Sequence, residues 1–408
     1  MEKHSINIVF AGHVDHGKST LIGRLLYDTG CLPEEKIKEI EKSSRSVGKE
    51  MEFAFVMDHL KEERSKGITI DTAQTFFKTK NKKFVIIDVP GHKEFLKNMI
   101  TGSTLGQTAL VLVDAEESVR DQTKRHCYLL NTLGLNKIFV VINKMDLVNY
   151  SEKRFNKVKD EITDYLNKLN IEILGVIPVS AKLGDNIVNL SDKMPWYKGE
   201  SLLDIMDRFK VEEKEFYNLC LPVQDVYDFV NDKNVFVGRI EGGTLKKGSK
   251  VIVLPERKEV TINKILKYGE ENLTSAGVGE CIGFLPEGNV ELKRGNIIVD
   301  NTNYNITRKF KANIFWLSKY PGGINEKYTL KCSTQEMDCE IEKIYKRFDP
   351  ASMEIVEEEA EKISGTEIAE ILLKTEKDVV VNKFSNMPHL GRFVLEKDNN
   401  IVAGGVII

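Results

Sequence analysis

Two glycines separated by four residues, and followed by a lysine and a hydroxyl side chain, occur near the start of this sequence. The stretch comprises Gly12, His13, Val14, Asp15, His16, Gly17, Lys18, Ser19 and Thr20. Glycines at this spacing let backbone N–H groups wrap around phosphate oxygens, while the lysine reaches the outer phosphates and the serine hydroxyl binds Mg²⁺. The alternative is a strand-to-helix turn that binds nothing. The apolar run Ile6–Phe10 before it and the helix-like Thr20–Leu26 after it favour a phosphate-binding loop, because a helix N-terminus attracts anions.

A second polar sequence follows the apolar run Phe84–Ile87 and contains Asp88 and Gly91. In nucleotide hydrolases, an aspartate at the end of a neighbouring strand holds Mg²⁺, usually through water, and a glycine brings a backbone N–H to the terminal phosphate. An aspartate and a glycine at this spacing also occur in ordinary turns. The pair therefore carries weight only because the phosphate-binding loop precedes it.

Two further polar sequences, each after an apolar run, indicate which base is bound. They are Asn143-Lys144-Met145-Asp146 and Ser180-Ala181-Lys182. Guanine presents N1–H and a 2-amino group side by side, and one carboxylate can accept from both. We expect Asp146 to do so. Adenine would leave this carboxylate unpaired, and charged hydrogen bonds contribute about 1.5–3 kcal/mol each.

The other residues of these two sequences also receive roles in this interpretation. Asn143 would brace its loop, and Lys144 and Lys182 would flank the base. The Ala181 N–H would meet the guanine oxygen. Either sequence alone could be a surface turn. With all four motifs in order, the sequence predicts GTP and GDP as ligands, together with Mg²⁺.

Two residues are candidates for the hydrolysis step. Thr69 lies where a mobile loop would close over the terminal phosphate and would give Mg²⁺ a second hydroxyl ligand. The charged segment before it, from Pro33 to Lys66, is typical of a solvated helical face. His92 follows Gly91 directly, where a side chain that orients the attacking water belongs, so we expect it to be catalytic.

Composition and patterning predict several domains. The chain has 408 residues, 41% of them apolar, and a formal net charge of −3. Up to about residue 210, apolar runs alternate with helical stretches, which is typical of a mostly parallel sheet covered by helices on both faces. After it, short strand-like runs separated by turns predict two β-barrel domains. The expected boundaries are 1–210 for a P-loop GTPase domain, 211–304 for the first barrel and 305–408 for the second.

Cysteine usage and hydropathy predict a cytoplasmic protein. The six cysteines show no metal-ligand spacing and no disulfide framework, which fits a reducing compartment. No apolar run approaches the roughly 20 residues needed to span a bilayer, so we expect no membrane partner.

The motifs together resemble the translation elongation factor superfamily of GTPases. The resemblance includes Gly67–Ile70 and the stretch from Asp88 to Gly102, and it covers nearly the whole chain. Within it, the sequence is most similar to the regulatory GTPase subunit of sulfate adenylyltransferase. The cues are Met57–Arg64, Asp71–Lys78, Met194–Tyr197 and Ser333–Glu336. The stretch between Lys18 and Gly67 is similar to both the sulfate-activating and the elongation factor types.

That resemblance implies a partner. A separate catalytic adenylyltransferase subunit would make adenosine 5′-phosphosulfate from ATP and sulfate in a hetero-oligomer, driven by GTP hydrolysis on this chain. Residues 306–408 carry 15 Lys and Arg against 17 Asp and Glu, which tilts the expectation toward a protein partner and makes nucleic acid unlikely. The alternative is an elongation factor that delivers aminoacyl-tRNA.

Overall fold

The computed structural model describes two compact units, residues 1–211 and 212–408. The described residues are 5–13, 15–32, 35, 37–38, 73–79, 81–89, 106–210, 218–229, 233–270, 273–288, 290–302, 304–365 and 367–408.

The first unit is built on a six-stranded sheet. Its strands are β1 (Ile6–Gly12), β2 (Ala73–Lys78), β3 (Lys83–Asp88), β4 (Thr108–Asp114), β5 (Lys137–Asn143) and β6 (Glu172–Pro178). They lie in the order β2-β3-β1-β4-β5-β6, and all are parallel except β2, which runs antiparallel to β3. Ile8, Val9, Phe10 and Ala11 are all fully buried, so both faces of the central strand β1 are covered.

Helices of the first unit cover this sheet. They include α1 (Lys18–Asp28), α2 (Asp121–Thr132), α3 (Glu152–Lys168) and α4 (Leu202–Arg208). Helix α3 begins where the Ser151 side chain accepts a hydrogen bond from the Arg154 N–H. Its residues Phe155, Val158 and Ile162 are buried, and this spacing of three and four residues places them on one face. The sequence thus specifies both the start of the helix and the face that packs.

The second unit contains a closed six-stranded barrel in the order β10-β11-β13-β8-β7-β14. Its strands are β7 (Cys220–Phe229), β8 (Lys233–Arg239), β10 (Lys250–Leu254), β11 (Lys258–Leu266), β13 (Cys281–Pro286) and β14 (Ile297–Val299), and a two-stranded sheet is formed by β9 (Thr244–Lys246) and β12 (Ser275–Gly277). Its core includes Val223, Phe236 and Phe284.

A second barrel follows in the same unit. Its strands run in the order β17-β22-β23-β15-β21-β18, and β17 pairs with β18 to close the ring. The elements are β15 (Asn305–Trp316), β16 (Gly322–Gly323), β17 (Lys327–Cys332), β18 (Gln335–Phe348), β19 (Ile355–Glu358), β20 (Lys362–Ile363), β21 (Ile368–Val381), α5 (Pro388–Gly391), β22 (Arg392–Lys397) and β23 (Asn400–Ile407). Strand β19 extends the sheet beyond β18, and β16 pairs with β20.

The two barrels share one buried cluster. Its members are Cys220, Leu254, Ile297, Val299, Tyr304, Val380, Met387 and Leu390. The Tyr304 hydroxyl also donates to the Leu219 carbonyl at 3.0 Å. Apolar residues of both barrels are therefore removed from water at the same place.

The predicted fold class, a P-loop domain with a mostly parallel sheet followed by β-barrels, is confirmed. All six cysteines are free thiols. Among the described residues, no helix combines the length and the apolar character needed to cross a membrane.

Candidate nucleotide-binding site

The strand register brings the predicted motifs to one edge of the sheet. Asp88 lies beside Phe10, Gly12 lies beside Leu112, and Asp114 lies beside Asn143. These residues end, or lie close to the ends of, parallel strands. The strand order changes direction at β1, and open α/β sheets bind their ligands at the carboxyl ends of strands at such a point.

The phosphate-binding loop runs from the end of β1 into α1. Gly17 lies just before α1 with φ of 90°, and a Cβ atom there would lie 2.5 Å from Asn143 Nδ2. A Cβ on Gly12 would lie 2.9 Å from the Leu112 carbonyl oxygen. Lys18 Nζ donates to the Gly12 carbonyl at 3.0 Å, so the lysine folds back over the loop. Only glycine fits both positions without displacing its neighbours.

Asn143 connects the phosphate-binding loop to the loop after β6. Its Nδ2 donates to the His16 carbonyl at 2.8 Å, and its Oδ1 accepts from the Ala181 N–H at 2.9 Å. Asn143 thus contacts both loops, and the Ala181 N–H lies against its amide oxygen.

Asp146 and Lys144 each have a defined partner. The Ser180 hydroxyl donates to Asp146 Oδ1 at 2.6 Å, which orients the carboxylate expected to read guanine. Lys144 has φ of 63° and pairs its ammonium group with Asp114 Oδ2 at 2.7 Å. Burial alone would raise the pKa of Asp114, but Lys144 and the backbone N–H groups of Glu116 and Glu117 bring the pKa below its usual value.

The two histidines of the phosphate-binding loop lie close to one another. His16 is fully buried, and its Nδ1 lies 3.2 Å from the Leu112 carbonyl oxygen. Its ring centroid is 5.2 Å from that of His13. Burial lowers the pKa of His16, so the neutral ring is favoured in the domain interior.

His126 of α2 is a second buried histidine near the loop. Neither ring nitrogen has a hydrogen-bond partner within the part of the chain that is described. Burial, followed by the charges of Lys18, His13 and His16, lowers the pKa of His126 to about 3. The ring is therefore neutral at physiological pH.

The remaining predicted residues are placed as follows. Ser19 and Thr20 lie in the first turn of α1, Asp15 has φ of 68° in the loop, and the Lys182 carbonyl accepts from Arg24 Nη1 at 3.5 Å. Val14, Thr69, Gly91 and His92 lie outside the described residues.

A bound phosphate with Mg²⁺ fits the described residues of this site. A Cβ at Gly12 or Gly17 would meet Leu112 or Asn143, so the loop keeps bare backbone at both positions, and backbone N–H groups in such a loop can bind phosphate oxygens. Ser19 supplies a hydroxyl and Asp88 a carboxylate, which are the hard oxygen ligands that Mg²⁺ prefers.

Sequence reasoning missed Asp114. The residue ends the buried run Thr108–Asp114, which is the same signal that identified Asp88. The pairing of β4 with β5 places Asp114 between the base-reading and phosphate-binding segments, and the sequence does not specify this pairing.

The fold and this site define a P-loop nucleotide-binding protein. Residues 3–210 match the family described as elongation factor Tu GTP binding domain, and residues 309–408 match the family described as GTP-eEF1A C-terminal domain-like. The chain therefore belongs to the translation-factor family of GTPases, and it binds GTP and GDP with Mg²⁺.

Relatives of this chain match along its whole length. Elongation factor 1-alpha of Pyrococcus furiosus is 41% identical over 424 residues, which cover 100% of this chain and 98% of that protein. Elongation factor 1-alpha of Thermococcus gammatolerans is 42% identical with the same coverage. Among solved structures, sup35 complexed with GDP is similar at 24% identity and a TM-score of 0.45, over 100% of this chain and 94% of that chain.

These relatives correct the functional prediction. The interpretation as a sulfate adenylyltransferase subunit is wrong, because full-length relatives are elongation factors. The predicted adenylyltransferase partner subunit is wrong for the same reason, as is the expectation that nucleic acid is an unlikely partner. The acidic balance of residues 306–408 did not exclude nucleic acid, because net charge does not report how charge is distributed over a surface.

Proposed function

We propose that this protein is a translation elongation factor that binds aminoacyl-tRNA in its GTP form and delivers it to the ribosome. One observation carries the proposal: elongation factors 1-alpha are 41% and 42% identical to the chain over its full length. The similarity includes the two barrels as well as the nucleotide-binding domain, so it reaches beyond the motifs that GTPases of many functions share. Such a factor works in the cytoplasm.

The proposed nucleotide site contains three groups of residues, which would bind the phosphates, the base and Mg²⁺. Backbone N–H groups of residues 12–18 and the Lys18 ammonium group would hold the phosphates. Asp146 would read the guanine base, with Asn143, Lys144, Ser180, Ala181 and Lys182 shaping its surroundings. Ser19, Thr69 and Asp88 would hold Mg²⁺, which neutralises charge on the phosphates when bound.

We propose His92 as the residue that orients the attacking water, with Gly91 placing a backbone N–H near the terminal phosphate. Replacement of His92 by alanine should leave GTP affinity unchanged and lower turnover by about 10²-fold. Single-turnover hydrolysis together with equilibrium binding separates these two quantities. A variant that loses affinity and turnover equally would refute the catalytic role.

We also propose domain boundaries after residues 210 and 304. They are supported by the change from the parallel sheet to the first closed barrel and by the start of the second barrel's strands at Asn305.

The proposed function is tested by binding of aminoacyl-tRNA. Filter retention of labelled aminoacyl-tRNA should require a non-hydrolysable GTP analogue and should be lost with GDP. Deacylated tRNA is the matched control ligand and should be retained weakly. Because phosphate contacts dominate such binding, retention should fall as salt rises. Equal retention with GTP analogue and GDP, or none with either, would refute the proposal.

A further inference from the structure

We propose that Tyr150, Asp185 and Trp196 form a clamp that holds the two base-reading loops in register and thereby sets the preference for guanine. These side chains would act through Asp146 and would not touch the nucleotide, so they are positioning residues. The clamp joins the loop after β5 to the loop after β6. Trp196 belongs to Met194–Tyr197, a sequence that the nucleotide site did not otherwise explain.

Tyr150 is fixed at both its backbone and its side chain. Its N–H donates to the Met145 carbonyl at 2.8 Å, and its carbonyl accepts from Trp196 Nε1 at 2.9 Å. Its hydroxyl donates to Asp185 Oδ2 at 2.8 Å. Met145 lies directly before Asp146, so Tyr150 holds the base-reading turn itself.

The backbone of Tyr150 supports a role beyond packing. Tyr150 has φ of 55°, and the preceding Asn149 has φ of 52°. A bulky side chain in this left-handed region is uncommon, and it persists only where the surrounding contacts dictate it. The bonds to Met145, Trp196 and Asp185 are those contacts.

Asp185 connects Tyr150 to Ser180 in the loop after β6. Its side chain also accepts from the Ser191 hydroxyl at 2.6 Å and from Lys193 Nζ at 3.3 Å. Its backbone N–H and carbonyl both pair with Ser180, at 3.2 Å each. Because the Ser180 hydroxyl donates to Asp146 Oδ1 at 2.6 Å, a continuous path of bonds runs from Tyr150 to the carboxylate that would read the base.

Trp196 anchors the clamp to the body of the domain. Its ring centroid lies 5.2 Å from that of Phe155, a buried residue of α3. Asn186, next to Asp185, is buried and donates to the Pro178 carbonyl at 2.9 Å. The clamp is therefore attached both to a helix and to the end of β6.

The location of the clamp predicts an effect on base recognition alone. Two parallel bonds from Asp146 to guanine demand a fixed orientation of the carboxylate. Loosening the clamp should weaken the bond to the 2-amino group while the phosphate contacts of residues 12–18 stay intact. The inference rests on the proposed assignment of Asp146 to guanine.

The test compares GDP with inosine diphosphate, which lacks only the 2-amino group. The variants are Tyr150→Phe, which removes the hydroxyl bonded to Asp185, and Trp196→Phe, which removes the indole N–H bonded to Tyr150. Tyr165→Phe is the matched control, because it removes a tyrosine hydroxyl that donates to the Lys124 carbonyl at 3.0 Å elsewhere in the domain. Dissociation constants and single-turnover GTP hydrolysis at saturating nucleotide are measured on the full chain.

We expect the preference for GDP over inosine diphosphate to fall about 3- to 10-fold in Tyr150→Phe and Trp196→Phe, as loss of one hydrogen bond allows. The preference should stay unchanged in Tyr165→Phe, and saturated hydrolysis should be unchanged in all three. An unaltered preference in both clamp variants, even with a lowered melting temperature, would overturn the proposal.

A further variant covers a failure of Tyr150→Phe to fold, and measurements on the unmodified protein test the assumptions of the clamp proposal. If Tyr150→Phe does not fold, Asp185→Asn keeps the side-chain shape and weakens the same contacts, and the same loss of preference is expected. An unmodified protein that binds ADP as well as GDP would refute the guanine assignment of Asp146, and the clamp with it. An unmodified protein that prefers GDP but does not bind aminoacyl-tRNA would refute the proposed function and leave the clamp proposal intact.

Discussion

Lys144 Nζ lies 2.7 Å from Asp114 Oδ2, so an ion pair ties the base-reading turn after β5 to the end of β4. Asp114 is 2% exposed and Lys144 29% exposed, which makes this pair better shielded from solvent than a surface pair. Asp114 also accepts from the Glu116 N–H at 2.7 Å and the Glu117 N–H at 3.2 Å. The carboxylate thus organises its own loop as well as Lys144.

Replacement of Asp114 by asparagine should lower the free energy of unfolding of the first unit by about 1–3 kcal/mol at pH 7, because a buried charge-assisted bond is lost. Since the folded pKa of Asp114 is lowered, its stabilisation is present above the unfolded value of about 3.9 and is lost as pH falls through the folded pKa. Hydrogen exchange of the β4 amides measures the change.

The control is Glu172→Gln, which breaks the more exposed pair between Glu172 and Lys137 at 3.4 Å. Surface pairs contribute about 0–1 kcal/mol, so this change should be small. Equal losses in Asp114→Asn and Glu172→Gln would contradict the organising role of Asp114.

Replacement of Gly17 by alanine should abolish tight nucleotide binding. The added Cβ would lie 2.5 Å from Asn143 Nδ2, at a φ of 90° that side chains rarely adopt. It would displace the amide that bonds the His16 carbonyl and so distort the phosphate-binding loop. Calorimetric titration with GDP checks this. Gly30→Ala is the control, because Gly30 also has positive φ but has nothing within 4 Å of the added atom. Comparable affinity losses in both variants would argue against the steric cause.

Replacement of Asp146 by asparagine should reverse the base preference. Asparagine has an NH₂ group in place of one carboxylate oxygen, so a donor would face the donors of guanine. GDP affinity should therefore fall about 10²-fold or more. Xanthosine diphosphate carries an oxygen in place of the 2-amino group and should bind better to the variant than to the parent. Competition binding with both nucleotides measures the switch. A variant that keeps its preference for GDP would show that another residue reads the base.

Replacement of His126 by leucine should flatten the pH dependence of stability. The folded pKa of about 3 lies below the usual 6.5, so the unfolded state binds more protons between these values. Stability is therefore lost as pH falls from about 6.5 toward 3, at up to about 1.4 kcal/mol per pH unit. Hydrogen exchange of β4 amides between pH 7 and 5 tests this, with barrel amides as the internal control. An unchanged slope in β4 would contradict the prediction.

Much of the fold and part of the site could be predicted from the sequence, for identifiable reasons. The buried strand before Gly12 and the helix after Lys18 follow from local hydrophobic patterns, and the phosphate-binding loop between them has a fixed residue spacing. The short strand-like runs after residue 210 are strands in the structure, among them Lys250–Leu254 and Lys327–Cys332.

The rest depended on contacts between residues distant along the chain. The buried His16 ring has its Nδ1 3.2 Å from the Leu112 carbonyl oxygen, 96 residues away, and the Ala181 N–H donates to Asn143 Oδ1, 38 residues earlier. The clamp joins Tyr150 to Asp185 and Trp196, which are 35 and 46 residues further along the chain. The choice between two related functions rested on similarity over the whole chain, which no local motif contains.

The buried cluster shared by the barrels limits how the chain can be divided. Cys220 and Leu254 from one barrel and Val380 and Leu390 from the other are each at most 1% exposed. A polypeptide terminated after residue 304 would leave the apolar side of the first barrel uncovered, and an isolated second barrel would have the same defect. Such fragments are expected to aggregate, so insertions, tags and truncations are better placed outside this seam.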